Sequence, residues 1–188
     1  METIRAFIAV DIGNEIRGRL DELQRKLKKT HADVRWVKPN NIHLTLAFLG
    51  DLPVEKIQPL CKALDSHVQG TGALGLHAVG TGYFGKPNHP RVVWAGIAVC
   101  PPLLELHRNT LETLRMAGIG FDNKPFSPHL TLGRVKGPEH TGSLLQMVEK
   151  YSDIELGKTS IESAELIQSR LTPHGAEYSV LHRTGISF

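Results

Sequence analysis

Residues 43–50 read HLTLAFLG and residues 129–136 read HLTLGRVK. The tetrapeptide His-Leu-Thr-Leu therefore occurs twice, beginning at His43 and at His129, 86 residues apart. In a strand, successive side chains point to opposite faces. That parity puts His43, Thr45 and Ala47 on one face and Leu44, Leu46 and Phe48 on the other, so the side carrying three large apolar groups is the expected core side. In the second copy His129 and Thr131 share a face with Gly133, against Leu130 and Leu132. Each copy predicts a half-buried strand that presents an imidazole and a hydroxyl away from the core.

The elements around the two copies repeat in the same order. RAFIAV from Arg5 reads as a strand, and the following segment carries Ile16, Leu20, Leu23 and Leu27 at helical spacing. DVRWV is a short strand, separated from the first motif by the turn residues Pro39, Asn40 and Asn41. Pro53 suits the first turn of a helix whose stripe is Ile57, Leu60, Cys61, Leu64 and Val68, although Pro59 obscures where that helix starts. ALGLHAVGT is the next strand, and GYFGKPNHPRVVW is expected as a Gly- and Pro-punctuated connection between two lobes, either a loop or a hairpin-like connection with a buried aromatic. RVVWAGIAV then reads as a strand, Pro101 and Pro102 open a helix with Leu104, Leu111 and Leu114, and Gly118 stops it. After the second motif come a helix around 144–151 and the strands TSIESAELIQS and AEYSVLHRT. A shift of 86 lays Arg5 on Arg91, Phe7 on Val93 and His43 on His129, which predicts a duplicated, two-lobed chain forming one domain over 1–188.

Composition narrows the function classes. Forty per cent hydrophobic and 22% charged residues are ordinary globular values. The formal net charge of +3 permits an anionic ligand, yet it suits contacts with a few phosphates better than a long backbone footprint. No apolar run approaches the roughly 20 residues of a membrane span, and residues 7–10 are too few for a signal-peptide core, so a cytoplasmic protein without a membrane partner is expected. Cys61 and Cys100 lack C-x-x-C spacing and read as buried apolar residues. The ten histidines form neither H-x-H nor H-E-x-x-H, so neither a metal nor a cofactor is expected. His107 falls on a helix stripe, as a partly buried histidine would, and His174 lies in the turn TPHGAE. Gly70, Gly72 and Gly75 satisfy G-x-G-x-x-G, but a helix precedes them and a strand follows, the reverse of a dinucleotide site.

Two imidazoles on facing surfaces have a specific chemical use. With an unperturbed pKa of about 6.5, one can accept a proton while another, held near an anion, donates one. Phosphodiester hydrolysis needs both, a base for water and an acid for the departing alkoxide, and the threonine hydroxyls are short donors suited to phosphoryl oxygens. HLTLAFLG and FSPHLTLGR resemble the paired H-x-T-x signatures of the 2H phosphoesterase superfamily. Within it the chain resembles the RNA 2′,3′-cyclic phosphodiesterases, also called 2′-5′ RNA ligases, from RAFIAVDI through RWVKPNNIHLTLAFLGDL to LIQSRLTPHGAEYSVL.

The resemblance implies a bilobal α+β fold with a pseudo-twofold duplication, antiparallel sheets facing a central groove and helices outside. It implies metal-independent hydrolysis of a terminal 2′,3′-cyclic phosphate on an RNA 3′ end to a 2′-phosphomonoester. By the same analogy His43 protonates O3′, His129 activates water, Thr45 and Thr131 hold the phosphate, and the reverse reaction with a 5′-hydroxyl end forms a 2′-5′ linkage. Arg134 matches the basic residue after the second motif, but simple parity puts it on the Leu130 face, so a phosphate-binding role requires the strand to bend near Gly133. Phe48 is its counterpart in the first copy. Phe84, in the inter-lobe segment with Tyr83, Lys86 and Arg91, is a candidate for stacking on a base. Arg170 is a further substrate-binding candidate. Two other functions compete: an RNA-end-binding module without turnover, and a related phosphodiesterase acting on a cyclic nucleotide or a 2′-5′ oligonucleotide. A monomer is expected, since one chain supplies both motifs.

Overall fold

The expected alternation of strands and helices is realised in a computed structural model that describes residues 2–68, 74–173 and 175–186. In chain order the elements are β1 (Thr3–Val10), α1 (Gly13–Lys28), β2 (Val34–Trp36), β3 (Leu44–Pro53), α2 (Ile57–His67), β4 (Leu74–Lys86) and β5 (His89–Ile97). They continue with α3 (Pro101–Met116), β6 (His129–Val135), α4 (Thr141–Lys150), β7 (Glu155–Ile161), β8 (Ser163–Thr172) and β9 (Gly175–Gly185). Gly70, Gly72 and His174 lie outside the described residues.

The fold is mixed α+β, built on an antiparallel sheet in the order β7-β4-β5-β6-β3-β1-β8-β9, with β2 added beside β6. The two motif strands meet at its middle, where β3 and β6 share the single pair Leu44–Leu130. Outward from that pair, β5 mirrors β1 and β4 mirrors β8, in agreement with the repeat read from the sequence. Each half of the sheet nevertheless draws strands from both halves of the chain, because β4 pairs with β5 and β8 pairs with β1. The helices follow suit: α2 packs on α3 and β9, α3 on β3, α1 on β7, and α4 on β4 and α1.

The α1 stripe Ile16, Leu20, Leu23 and Leu27 is almost fully buried. It joins Leu60 and Leu64 of α2, Leu106 of α3 and Leu144 of α4 in one core with Leu44, Leu46, Leu130 and Leu132 of the sheet. Each such side chain contributes roughly 1.5–3 kcal/mol of burial free energy, which commits the opposite sheet face to solvent and the groove. A small second cluster, Phe7, Ala9 and Ile167 with Tyr178, forms apart from that core.

Several local expectations are corrected. Pro53 ends β3 and caps a single 3-10 turn, Val54–Lys56, that runs directly into α2 at Ile57; Pro59 occupies the first turn of α2, where a missing N–H removes no helical hydrogen bond. TSIESAELIQS is not one strand. It breaks at Glu162 into the end of β7, paired with β4, and the start of β8, paired with β1. Since one residue joins strands so far apart in the sheet order, the sheet must curl into a half-barrel. Of the two readings of GYFGKPNHPRVVW the hairpin holds: it joins β4 to β5, with Gly82 opposite Trp94 and Phe84 opposite Val92. Cys61 and Cys100 are half-buried at the core margin, not enclosed within it.

Candidate active site

A groove of about 440 Å³ runs along the sheet face opposite the main core, and His43, Thr45, His129 and Thr131 all line it. The register at Leu44–Leu130 explains the convergence. Continued by one residue each way, it sets His43 opposite Thr131 and Thr45 opposite His129, so the histidines are diagonal neighbours. Diagonal side chains across antiparallel strands lie roughly 7–8 Å apart, which leaves room for a phosphoryl group between the imidazoles.

Both rings are held in the same way. His43 Nδ1–H donates to the Asn41 carbonyl at 2.7 Å, and His129 Nδ1–H donates to the Ser127 carbonyl at 2.7 Å. A carbonyl can only accept, so each neutral ring is protonated at Nδ1 and keeps its lone pair on Nε2. Asn41 is itself anchored, since its side-chain amide donates to the Ala176 carbonyl of β9 at 2.8 Å.

A bulge settles the position of Arg134. On β6, Gly133 pairs with Val93 while Thr131 pairs with Trp94, which leaves Leu132 as the extra residue and reverses the side-chain alternation beyond it. Leu132 and Gly133 are therefore both buried, and Arg134 is exposed into the groove. The Leu132 carbonyl accepts from the Val37 N–H at 2.9 Å and from the buried Gln24 side chain at 2.8 Å, so α1 braces the bulge from within the core. Gly133 is required here: a Cβ would meet Val34 Cγ1 at 2.5 Å and Trp36 Cε3 at 3.0 Å.

The first copy bulges at the same place. Phe7 pairs with Phe48, Ile8 with Ala47 and Ala9 with Thr45, so Leu46 is the extra residue there. Ala47 is buried and Phe48, half exposed, lines the groove, contrary to the simple alternation expected from HLTLAFLG. The same pairings set Ala9 where the second copy has Trp94, an offset of 85, so Phe7 corresponds to Val92 and not to Val93.

Aromatic side chains enclose both imidazoles. Phe7 stacks on His43 with centroids 4.6 Å apart, and Tyr178 meets the same ring edge-on at 5.3 Å. Phe84 meets His129 edge-on at 4.8 Å and also touches Trp94. Burial lowers the His43 pKa to about 4; the Asn41 carbonyl and the Asp11 carboxylate oppose that shift, and the charge of His129 adds to it. Burial would raise Asp11, but the hydrogen bond and charge of Arg17 outweigh it and hold that carboxyl below its usual value. Burial also raises the Tyr178 phenol, against the pull of Arg134 and Arg5.

Of the residues singled out from the sequence, His43, Thr45, His129, Thr131 and Arg134 meet in the groove, and Phe84 supports it from behind His129. Tyr83 packs against the core instead. Arg170 is exposed on β8 opposite Glu177 and does not line the groove. Tyr178, Arg35, Trp36, Lys38 and Asn41 also line it and were not marked by the sequence. Only Asn41 carries a local signal, as it stands two residues before a motif histidine, as Ser127 does before the other. His107 is half-buried and stacks on Phe126 at 3.9 Å, with its pKa lowered by burial and by Arg115. Among the described residues no three His, Cys, Asp or Glu side chains gather as a metal site requires, and no helix is long and apolar enough to cross a membrane.

Fold and groove together bring two histidines, two threonines and Arg134 to one cleft. The family described as LigT like Phosphoesterase matches residues 10–94 and 98–178, and the chain belongs to that family. The RNA 2′,3′-cyclic phosphodiesterase of Methanothermobacter thermautotrophicus is 33% identical over 178 residues, covering 94% of this chain and 95% of that protein. The RNA 2′,3′-cyclic phosphodiesterase of Thermotoga maritima is 33% identical over 180 residues, covering 95% and 94%. The crystal structure of E. coli LigT complexed with 3′-AMP superimposes over the full length of both chains with a TM-score of 0.78 and 26% identity.

Proposed function

We propose that this chain is a phosphoric diester hydrolase that opens the 2′,3′-cyclic phosphate at an RNA 3′ end to a 2′-phosphomonoester. The observation that carries the reading is the matched pair of imidazoles. Each is pinned through Nδ1 to the carbonyl two residues before it, and each stands diagonally from the other beside the partner strand's threonine. His129 Nε2 takes a proton from water as that oxygen attacks phosphorus. His43 Nε2–H gives a proton to O3′ as the P–O3′ bond breaks, and the two rings keep these roles when the 5′-hydroxyl of a second RNA replaces water and a 2′-5′ linkage forms; they exchange roles only when that linkage is cleaved back to the cyclic phosphate. Thr45 and Thr131 donate to the phosphoryl oxygens, and Arg134 adds positive charge at the groove wall.

His43 begins neutral at pH 7, so its acid role depends on the substrate. A cyclic phosphodiester is anionic, and a negative charge between the rings favours the imidazolium that burial disfavours. The reading takes the enzyme as a cytoplasmic monomer; one chain supplies both imidazoles, so the site needs no second copy. It favours an enzyme over a binding module because simple capture of a terminal phosphate needs permanent cations rather than two titratable rings held in matching tautomers.

The test is incubation of a short RNA ending in a 2′,3′-cyclic phosphate with the protein in EDTA, resolving 2′- from 3′-phosphate. A 2′-phosphate product, lost in His43→Ala and His129→Ala proteins that still fold, is the expected result. A 3′-phosphate product would reverse the assigned leaving group, and activity that needs added metal would overturn the mechanism. Turnover confined to cyclic mononucleotides or 2′-5′ oligonucleotides would move the protein to the related phosphodiesterase class.

A further inference from the structure

The groove is electrostatically lopsided. Arg35, Lys38 and Arg134 line it, and no Asp or Glu does. All three cations lie on the flank formed by β2, the turn after it and β6, and β2 has no counterpart under the internal repeat among the described residues. Arg35 and Arg134 are direct partners in the β2–β6 register, and both are exposed on the groove side. Like charges directly opposite one another in a sheet are destabilising. Among the described residues neither arginine has a carboxylate partner to offset that repulsion. Gly133, the β6 bulge and the buried Gln24 amide all serve to keep the pair in place.

We infer that the Arg35–Arg134 pair is a clamp for a second phosphate, the diester that joins the last two nucleotides of the RNA. The inference rests on the hydrolase reading above. Along β6, Arg134 stands five residues from His129, one of them spent in the bulge, which is roughly 13 Å at about 3.3 Å per residue. At that distance Arg134, with Arg35 directly across the ladder, faces the next phosphate rather than the reacting one. A single bridging anion removes the repulsion between the guanidinium groups and gives each a planar, charge-assisted contact. Because the clamp occupies one flank only, the strand enters the groove from the β2 side, and the preferred substrate is an oligonucleotide rather than a mononucleotide cyclic phosphate.

The test compares two dinucleotides, each ending in a 2′,3′-cyclic phosphate and 2′-O-methylated at the first nucleotide. One has an ordinary phosphodiester link and the other an uncharged methylphosphonate. The wild-type protein is expected to favour the charged link by about 10-fold in kcat/KM, the worth of a charge-assisted contact. Arg35→Gln should bring that preference close to one, and Arg35→Lys should retain part of it. The dependence of log kcat/KM on log salt for the charged dinucleotide should flatten by about 0.7 in Arg35→Gln, the single-strand value for one phosphate contact. A wild-type protein indifferent to the link charge, or an Arg35→Gln protein that keeps the full preference, would overturn the clamp. Failure of the wild-type protein to open either cyclic phosphate would remove the hydrolase reading itself, and the clamp with it.

Discussion

Enclosure of His43 by Phe7 and Tyr178 has a cost that pH can reveal. The ring titrates near 6.5 in an unfolded chain and near 4 in the folded protein, because burial disfavours its charged form. Above pH 6.5 both states are neutral, and the residue contributes no pH dependence. As pH falls below 6.5 the unfolded chain takes up a proton that the folded chain resists until about pH 4, so stability declines across that window and then levels. Between pH 7 and pH 5 the linkage relation gives about 2 kcal/mol, and the ring edge that remains open to the groove reduces this to roughly 1–2 kcal/mol. The perturbation is His43→Gln, which removes the titration, and the assay is urea unfolding of both proteins at pH 7 and pH 5 in phosphate-free buffer. Any stacking energy lost in the variant is lost at both pH values and cancels, as does the contribution of His107, which is present in both proteins. With a urea m-value of about 2 kcal/mol/M, the wild-type midpoint should fall by roughly 0.5–1 M more than the variant midpoint between the two pH values. Equal shifts in the two proteins would falsify the account of a desolvated His43.

Two further outcomes probe the same architecture. Binding of a cyclic-phosphate RNA to a His129→Ala protein, which lacks the proposed base, should take up most of one proton at pH 6, measured by calorimetry in buffers of different ionisation enthalpy; the diester stays anionic there, so no uptake would mean that His43 does not gain a proton from the complex. Gly133→Ala should destabilise the protein by about 1–3 kcal/mol and lower kcat/KM, because the new methyl collides with Val34 and Trp36 and displaces the strand that braces Arg134; wild-type stability and activity together would show that β2 can shift freely.

Much of the site was legible because it is local. His-x-Thr in a strand fixes two side chains on one face whatever the strand pairs with, and the Leu residues between them identify the opposite face as core. The helix stripe of α1 was equally plain, since Ile16, Leu20, Leu23 and Leu27 recur with the helical period. Tyr178 was not legible. It reaches His43 only because β9 returns to the outer edge of the sheet half that holds β3, and nothing in GAEYSV marks a ring that will meet an imidazole 135 residues earlier. Arg35 escaped notice for a similar reason, as its significance is the identity of the residue across the ladder.

Phe48 and Arg134 mark the boundary between the two kinds of information. Strict alternation assigns both to the core face, whereas the structure turns both into the groove, because one extra residue at Leu46 and one at Leu132 shift the phase of everything beyond. A bulge is a property of a pair of strands and of what braces them, here the Val37 amide and the Gln24 side chain against the Leu132 carbonyl. By itself the sequence determined most of the elements, the repeat and the shared face of the His and Thr in each motif, since these follow from periodicities within a few residues. Tertiary structure alone decided the strand order, the crossing of helices between sheet halves, the aromatic enclosure that lowers the His43 pKa and the meeting of two unpaired arginines. Each of these depends on contacts between residues far apart in the chain, where side-chain period carries no information about the partner.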